Sequence, residues 1–372
     1  MTLNYRSLLK TQAFAFLLAI FAIPAWAAYD APAIGRLEST RTAYEDTLIN
    51  LAQQQRVGYA QLIAANPGVD PWLPGRGKKI ILPNWHIIPD VERKGLVLNT
   101  GELRLYYFPA DGSEPKTFPI GIGREGLFTP KGSTTVTRKQ ANPVWRPTPR
   151  MRLEDPELPA EVKTGPDNPL GAYALYMGWP SYLIHGTNKP KAIGRRASSG
   201  CIRMYDNEIE WLFHNVPVGT KVTSIDQPVK MAWIDGAFFI EAEPNDLQID
   251  EIEYQNRQIT VDVPDGIIAE VRRKAGDKVV MLDWEKVRNT LIERTGIPTN
   301  VTTKSVNIPI EAADGSTEVP SVDEVAAMDE QAQQTGESKI RDTRKPVPAN
   351  NVAKKADAKP KKASNDWNTL NR

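Results

Sequence analysis

Two neighbouring stretches decide the reading: Tyr182-Leu183-Ile184-His185-Gly186-Thr187 and Ser198-Ser199-Gly200-Cys201-Ile202-Arg203-Met204. The first is an apolar strand ending in a histidine, followed by glycine. A histidine at a strand end before glycine is placed to project into a cleft. The second places a glycine before the only cysteine of the 372-residue chain. A thiolate is a far better nucleophile than a thiol, and a nearby imidazole can remove the thiol proton. Gly200 allows a tight turn that aims backbone N–H groups inward. The amides of Gly200 and Cys201 are therefore candidates for holding a tetrahedral oxyanion, at roughly 3 kcal/mol per donor. The competing reading from chemistry alone is a satisfied core histidine and an inert buried cysteine.

Outward from these stretches, the chain has three histidines, of which His86 lies in a linker and His214 on a helix beyond the site. The amino terminus reads as an export signal. Arg6 and Lys10 precede an apolar run from Ala13 to Ile23; Pro24 breaks it, and Ala25-Trp26-Ala27 forms a small-x-small cleavage site. Residues 1–27 are thus expected to be removed, leaving a periplasmic protein with no transmembrane segment. The residue directly after the cleavage site is Ala28, not cysteine, which argues against a lipoprotein. A single thiol in an exported chain cannot form an internal disulfide. The net charge of +1 gives no sign of a nucleic-acid partner. No cluster of ligand residues suggests a metal, and no cofactor is expected.

The remaining length suggests two or three domains at ~150 residues each. Residues 40–85 read as two short helices, Tyr44 to Gln54 and Tyr59 to Asn66, closed by a strand, Lys79 to Leu82. From Gly95 the period changes to two, with short strands between turns: Leu96 to Asn99, Leu103 to Phe108, Lys116 to Ile122, Tyr173 to Met177 and Lys221 to Ile225. A helix is expected over Asp206 to Phe213. The stretch from Asn142 to Gly165, rich in Pro, Arg and Glu, reads as a long surface loop beside the site. Residues 227–302 read as a small α+β unit: a hairpin turning at Asp235-Gly236, then helices over Ile267 to Ala275 and Trp284 to Thr295. Residues 303–372 are polar and are expected to be a disordered tail. The expected fold class is mainly β.

The words around the two stretches resemble the L,D-transpeptidase catalytic domain of the YkuD/ErfK type. They are Thr129-Pro130-Lys131-Gly132, Asn142-Pro143-Val144-Trp145, Gly165-Pro166-Asp167-Asn168-Pro169-Leu170-Gly171, His185-Gly186-Thr187 and Ser198-Ser199-Gly200-Cys201-Ile202-Arg203-Met204. The resemblance covers residues 94–226. It implies that Cys201 is the acylated nucleophile, His185 the base, the Gly186 carbonyl the group orienting the imidazole, and Gly200 part of the oxyanion hole. Many relatives carry Ser-His-Gly-Cys; Ser199 here removes a second imidazole, leaving His185 as base. Ser198, Ser199, Arg203 and Tyr182 are expected to contact substrate, Arg203 through a carboxylate or, equally, as a structural ion pair.

The segment 40–85 is similar to a LysM module, through Asp46-Thr47-Leu48, Ala64-Ala65-Asn66-Pro67-Gly68-Val69-Asp70 and Gly77-Lys78-Lys79-Ile80-Ile81-Leu82-Pro83. That likeness implies a βααβ unit that binds N-acetylglucosamine glycan. Together the resemblances imply peptidoglycan as partner and 3–3 crosslinking of diaminopimelate, with another stem, a D-amino acid or a lipoprotein lysine as acceptor. Hydrolysis of the same bonds is the alternative within the enzyme class. A non-catalytic wall-binding scaffold is the alternative outside it.

Overall fold

The structure, a computed structural model, describes residues 29–306 and 308–313. The expected export signal and the tail beyond residue 313 lie outside the described residues. No helix among the described residues is long and apolar enough to cross a membrane.

The first described segment contains β1 (Ala33–Gly35), β2 (Glu38–Arg41), α1 (Leu48–Gln55), α2 (Tyr59–Ala64), β3 (Lys79–Leu82) and β4 (Trp85–Ile87). Thr47 caps α1 by accepting from the Asn50 amide, and Arg56 ends it in the left-handed region. β2 and β3 pair antiparallel around the two helices, giving the βααβ order expected. Leu48, Leu51, Leu62, Ile63, Ile80 and Leu82 form its core.

An eight-stranded sheet follows, built from β5 (Gly95–Asn99), β6 (Arg104–Phe108), β7 (Lys116–Pro119), β9 (Gly132–Ala141), β10 (Tyr173–Met177), β11 (Leu183–His185), β13 (Ile202–Arg203) and β14 (Lys221–Ile225). Its order is β13-β11-β10-β9-β14-β5-β6-β7. The contacts β11–β13 and β14–β5 are parallel and the rest antiparallel. β8 (Ile122–Gly123) pairs with β12 (Arg196–Ser198) just before the cysteine turn. The mainly β class is as expected. β9 was not expected, because Gly-Ser-Thr-Thr-Val-Thr-Arg-Lys-Gln-Ala carries one fully buried apolar side chain, Val136, and no clean alternation. The loop from Asn142 contains a short helix α3 (Pro149–Glu154), capped by Thr148, and a bridge between Trp145 and Val162. Asn168 pins this loop from within: its buried amide donates to the Pro143, Val162 and Lys163 carbonyls. Helix α4 (Asp206–Asn215) leads away from the cysteine strand and buries Ile209 and Leu212.

The last segment has the hairpin β15 (Val229–Ile234) and β16 (Ala237–Ala242), helices α5 (Asp246–Gln255), α6 (Ile267–Ala275) and α7 (Trp284–Glu293), and strand β17 (Thr299–Asn300) on the hairpin edge. α5 was not expected. Its side chains pair outward to other segments rather than inward on one stripe: Glu253 grips Arg195, and Ile252 joins the core of the first segment. The expected start of the disordered tail is corrected: β18 (Glu311–Ala312) pairs parallel with β2. Polar composition did not prevent this, since an open strand edge recruits backbone, not side chains.

Candidate active site

β11 and β13 run side by side with Ile184 opposite Ile202 and His185 opposite Arg203. Residues paired directly across neighbouring strands share a face, so Arg203 and His185 come to one side of the sheet edge, and Cys201 lies in the turn that leads into β13. Fifteen residues of intervening chain, including a 3-10 turn at Pro190–Ala192, separate the histidine from the cysteine.

His185 is buried, and its Nδ1 lies 2.6 Å from the Gly186 carbonyl oxygen. That contact makes Nδ1 the protonated nitrogen and leaves Nε2 with its lone pair. Burial, reinforced by the Arg203 charge, lowers the imidazole pKa to about 3, against the pull of the Gly186 carbonyl. Gly186 admits no side chain: a Cβ there would lie 2.5 Å from Asp206 Oδ1 and 3.3 Å from Gly171 Cα. The Asp206 carboxylate also accepts from the Thr187 amide at 3.1 Å. Asp206 thus fixes the backbone just after the imidazole, a role the sequence did not signal.

Cys201 is half-buried, and its thiol donates to the Ser181 carbonyl at 3.4 Å. Burial raises the thiol pKa, while the Leu183 backbone and the Arg203 charge work the other way. The resting pair is therefore a neutral thiol and a neutral imidazole.

The cysteine turn is clamped at three points. The Gly200 amide donates to Ser198 Oγ at 3.0 Å, and Ser198 Oγ donates to the Cys201 carbonyl at 2.6 Å. Thr129 Oγ1 donates to the Gly200 carbonyl at 2.9 Å. A trans peptide places its N–H opposite its C=O, so the Thr129 bond turns the Cys201 amide away from Thr129. That amide makes none of the turn and loop hydrogen bonds of the described residues. Gly200 sits at φ +117°, where an L side chain is strained, and a Cβ would meet the Tyr182 ring at 3.0 Å.

These contacts correct two expectations. The Gly200 amide is already used by Ser198, so of the two expected oxyanion donors the Cys201 amide alone is unengaged. Ser198 is buried and spends its hydroxyl inside the turn, so it supports the loop rather than facing a substrate. Tyr182 places its ring over Gly200 and its hydroxyl on the Phe128 carbonyl at 3.3 Å, forming a wall of the turn. Ser199 is half-buried. Arg203 is half-buried too, and its enclosed Nε has no hydrogen-bond partner. Thr129 was legible only as part of a motif; its spacing of 72 residues from Cys201 gave no cue to the contact.

The flanks of the site are charged and tied. Arg124 donates to Glu154 on α3 at 3.1 Å, and Arg150 holds the same carboxylate at 2.5 Å. Elsewhere His86, Glu102 and Glu241 bring ligand atoms together in a buried cluster, but the Lys230 ammonium already bonds both carboxylates.

Residues 93–223, which include His185, Cys201 and the turn around them, match the YkuD family, described as an L,D-transpeptidase catalytic domain. Over 266 residues the chain is 42% identical to a protein of Escherichia coli (strain K12) named as a probable L,D-transpeptidase, ErfK/SrfK, covering 69% of this chain and 83% of that one. A second protein of that strain, named as a probable L,D-transpeptidase, YbiS, is 42% identical over 66% of this chain and 80% of its own length. An L,D-transpeptidase crystal structure from Mycobacterium tuberculosis H37Rv aligns at 19% identity over 36% of this chain and 58% of that one, with a TM-score of 0.28. Identity at this level, sustained across more than two thirds of both relatives, means that the chain belongs to the YkuD family of L,D-transpeptidases.

Proposed function

We propose that the protein is an exported enzyme that acts on peptidoglycan stem peptides through a Cys201 thioester, forming 3–3 crosslinks. The observation that carries this is the pairing of the His185 strand with the strand entered directly after Cys201, with the imidazole held in the tautomer that accepts a proton. In the first half-reaction Sγ attacks the L-centre carbonyl of diaminopimelate in a tetrapeptide stem. The thiol proton passes to His185 Nε2, and the Cys201 amide donates to the oxyanion. The C–N bond breaks as His185 protonates the leaving amine of D-alanine. In the second half an acceptor amine attacks the thioester, giving its proton to His185; the C–S bond breaks and the proton returns to sulfur. The Gly186 carbonyl stabilises the transient imidazolium. The βααβ segment supports a further reading as a glycan anchor that raises the local concentration of stems.

Muropeptide analysis tests this. Purified protein incubated with tetrapeptide-bearing sacculi should yield 3–3 crosslinked dimers. Accumulation of tripeptide stems without dimers would instead establish a hydrolase.

The Thr129 clamp gives a finer expectation. Thr129→Val keeps the shape but removes the hydroxyl that orients the Gly200–Cys201 peptide. The rate of D-alanine release at saturating donor should fall about 10-fold with KM little changed, since one oxyanion donor is misaimed rather than removed. Thr129→Ser should retain most of the rate. Equal rates for the valine and serine variants would refute the assignment.

A further inference from the structure

Arg195 lies six residues before Cys201, on the stretch that leads through β12 into the cysteine turn. Glu253 of α5 grips its guanidinium with two bonds: Nη1 donates to Oε2 at 2.7 Å and Nη2 to Oε1 at 2.6 Å. The same guanidinium lies over the Tyr59 ring of α2, with Cζ 4.0 Å from the ring centroid. Both charged side chains are nearly closed to solvent, at 12% and 3% exposure. A planar cation held at its edge by a carboxylate and at its face by a ring has little freedom left. The backbone around it is held as well. The Ile193 and Gly194 carbonyls accept from the Tyr59 and Ala60 amides, both at 3.3 Å. One residue on, Arg196 donates to Asp246 at the start of α5 and to the Thr100 carbonyl, each at 3.0 Å.

These holds matter because the strand they flank is weakly fixed by its own ladder. β12 pairs with β8, a strand of two residues, and the register shifts between Arg196 and Ser198. So short a pairing specifies register poorly, and a slip of one residue turns every side chain to the other face. Ser198 has to face the turn, since its hydroxyl bonds both the Gly200 amide and the Cys201 carbonyl. After a slip, Ala197 or Ser199 would stand in its place. We propose that Arg195, held by Glu253, is a positioning residue that sets the register of β12 and through it the pose of the Cys201 turn, which gives the last segment a part in catalysis. This rests on the reading of Cys201 as nucleophile. In this role Arg195 touches no reacting atom. Its two partners come from α2, before the catalytic sheet in the chain, and from α5, after it. The cysteine turn therefore reaches its working pose only when both flanking segments are folded against the stretch that enters it.

The experiment separates positioning from stability in the full chain. D-alanine release from a stem tetrapeptide and Cys201 thioester by intact mass are measured beside the denaturant midpoint. Glu253→Gln strands the Arg195 charge, so its midpoint should fall. Adding Arg195→Met removes the stranded charge, so the double variant should regain a midpoint near native. Its kcat should nevertheless stay at least about 10-fold low, with KM within about 2-fold, since a misplacement of about 1 Å can cost about 100-fold in rate. Arg195→Lys keeps the charge but not the fork, and should give a kcat between the native and double-variant values. A double variant with native kcat would overturn the positioning role, and so would a loss confined to KM. Should Glu253→Gln alone fail to fold, the double variant still decides. Absence of both thioester and D-alanine release from the native protein would overturn the nucleophile reading instead.

Discussion

Cys201→Ala should lower 3–3 dimer formation below detection, a loss of at least about 10⁴-fold, while His185→Gln should cost about 10³-fold. The two differ because sulfur forms the covalent bond, whereas the imidazole only moves a proton that solvent can move slowly. Combining them should add little to Cys201→Ala, as expected for groups that act as one unit. The resting geometry sharpens the prediction. With the thiol pKa raised and the imidazole pKa lowered to about 3, the free enzyme holds a neutral pair, not a thiolate–imidazolium pair. Proton transfer therefore accompanies attack. For the free enzyme, kcat/KM should show no acid limb near 6.5, the ordinary histidine range, because the imidazole stays unprotonated well below it. A neutral alkylating reagent should label Cys201 slowly at pH 7 and faster only as pH rises above the ordinary thiol range. Dimers formed by the alanine variant would refute the nucleophile, and a sharp acid limb at 6.5 would refute the neutral pair.

The residues proposed for the chemistry stood out in the sequence more than those that support them. His185 and Cys201 were visible because residue type, local turn and uniqueness all point one way. β10, β14 and α6 were readable because their apolar periods match their burial. β9 was not, because it lies between β10 and β14 yet carries mostly hydroxyl and charged side chains, so backbone pairing alone defines it. Thr129 and Asp206 act through hydrogen bonds to backbone atoms, and no composition or period encodes such contacts. The segments read as separate modules in fact share cores. Ala60 of α2 packs in the catalytic core, and the α2 amides of Tyr59 and Ala60 donate to the Ile193 and Gly194 carbonyls. Tyr205, next to the cysteine strand, donates to the Ala52 and Val57 carbonyls. Removing 40–85 would expose these surfaces, so point changes on its outer face are the cleaner probe of glycan binding. His86 illustrates the same limit: it read as a linker residue, yet it is buried against Glu241 at 2.9 Å.

That contact belongs to the cluster with the largest expected effect on stability. Lys230 and Glu241 face each other across the β15–β16 hairpin. The Lys230 ammonium also bonds Glu102, at the β5–β6 turn, and lies 3.3 Å from the Tyr106 hydroxyl. Glu241 in turn accepts from the Ile87 amide at 2.6 Å. All these side chains are essentially inaccessible to solvent, so the lysine joins β4, the catalytic sheet and the final segment through one charge. Replacing a buried pair entirely by apolar groups is often tolerated, but removing one partner strands the other. Lys230→Met keeps the length and volume and removes only the ammonium, leaving Glu102 and Glu241 in a dry site. The variant should lose about 3–5 kcal/mol at pH 8, read as a shift in the denaturant midpoint at unchanged m. The sign of its pH dependence follows. Burial already raises the Glu241 pKa, and without the ammonium nothing on Lys230 opposes that. Stability is then retained below the ordinary carboxylate range and falls as pH rises through the raised value. The deficit should therefore shrink toward pH 5. Adding Glu102→Gln and Glu241→Gln to Lys230→Met should restore much of the loss, since neither carboxylate that the lysine bonded then carries a charge. A single variant within about 1 kcal/mol of native protein at pH 8 would show that water reaches the cluster, and that the segments are held together by their apolar cores alone.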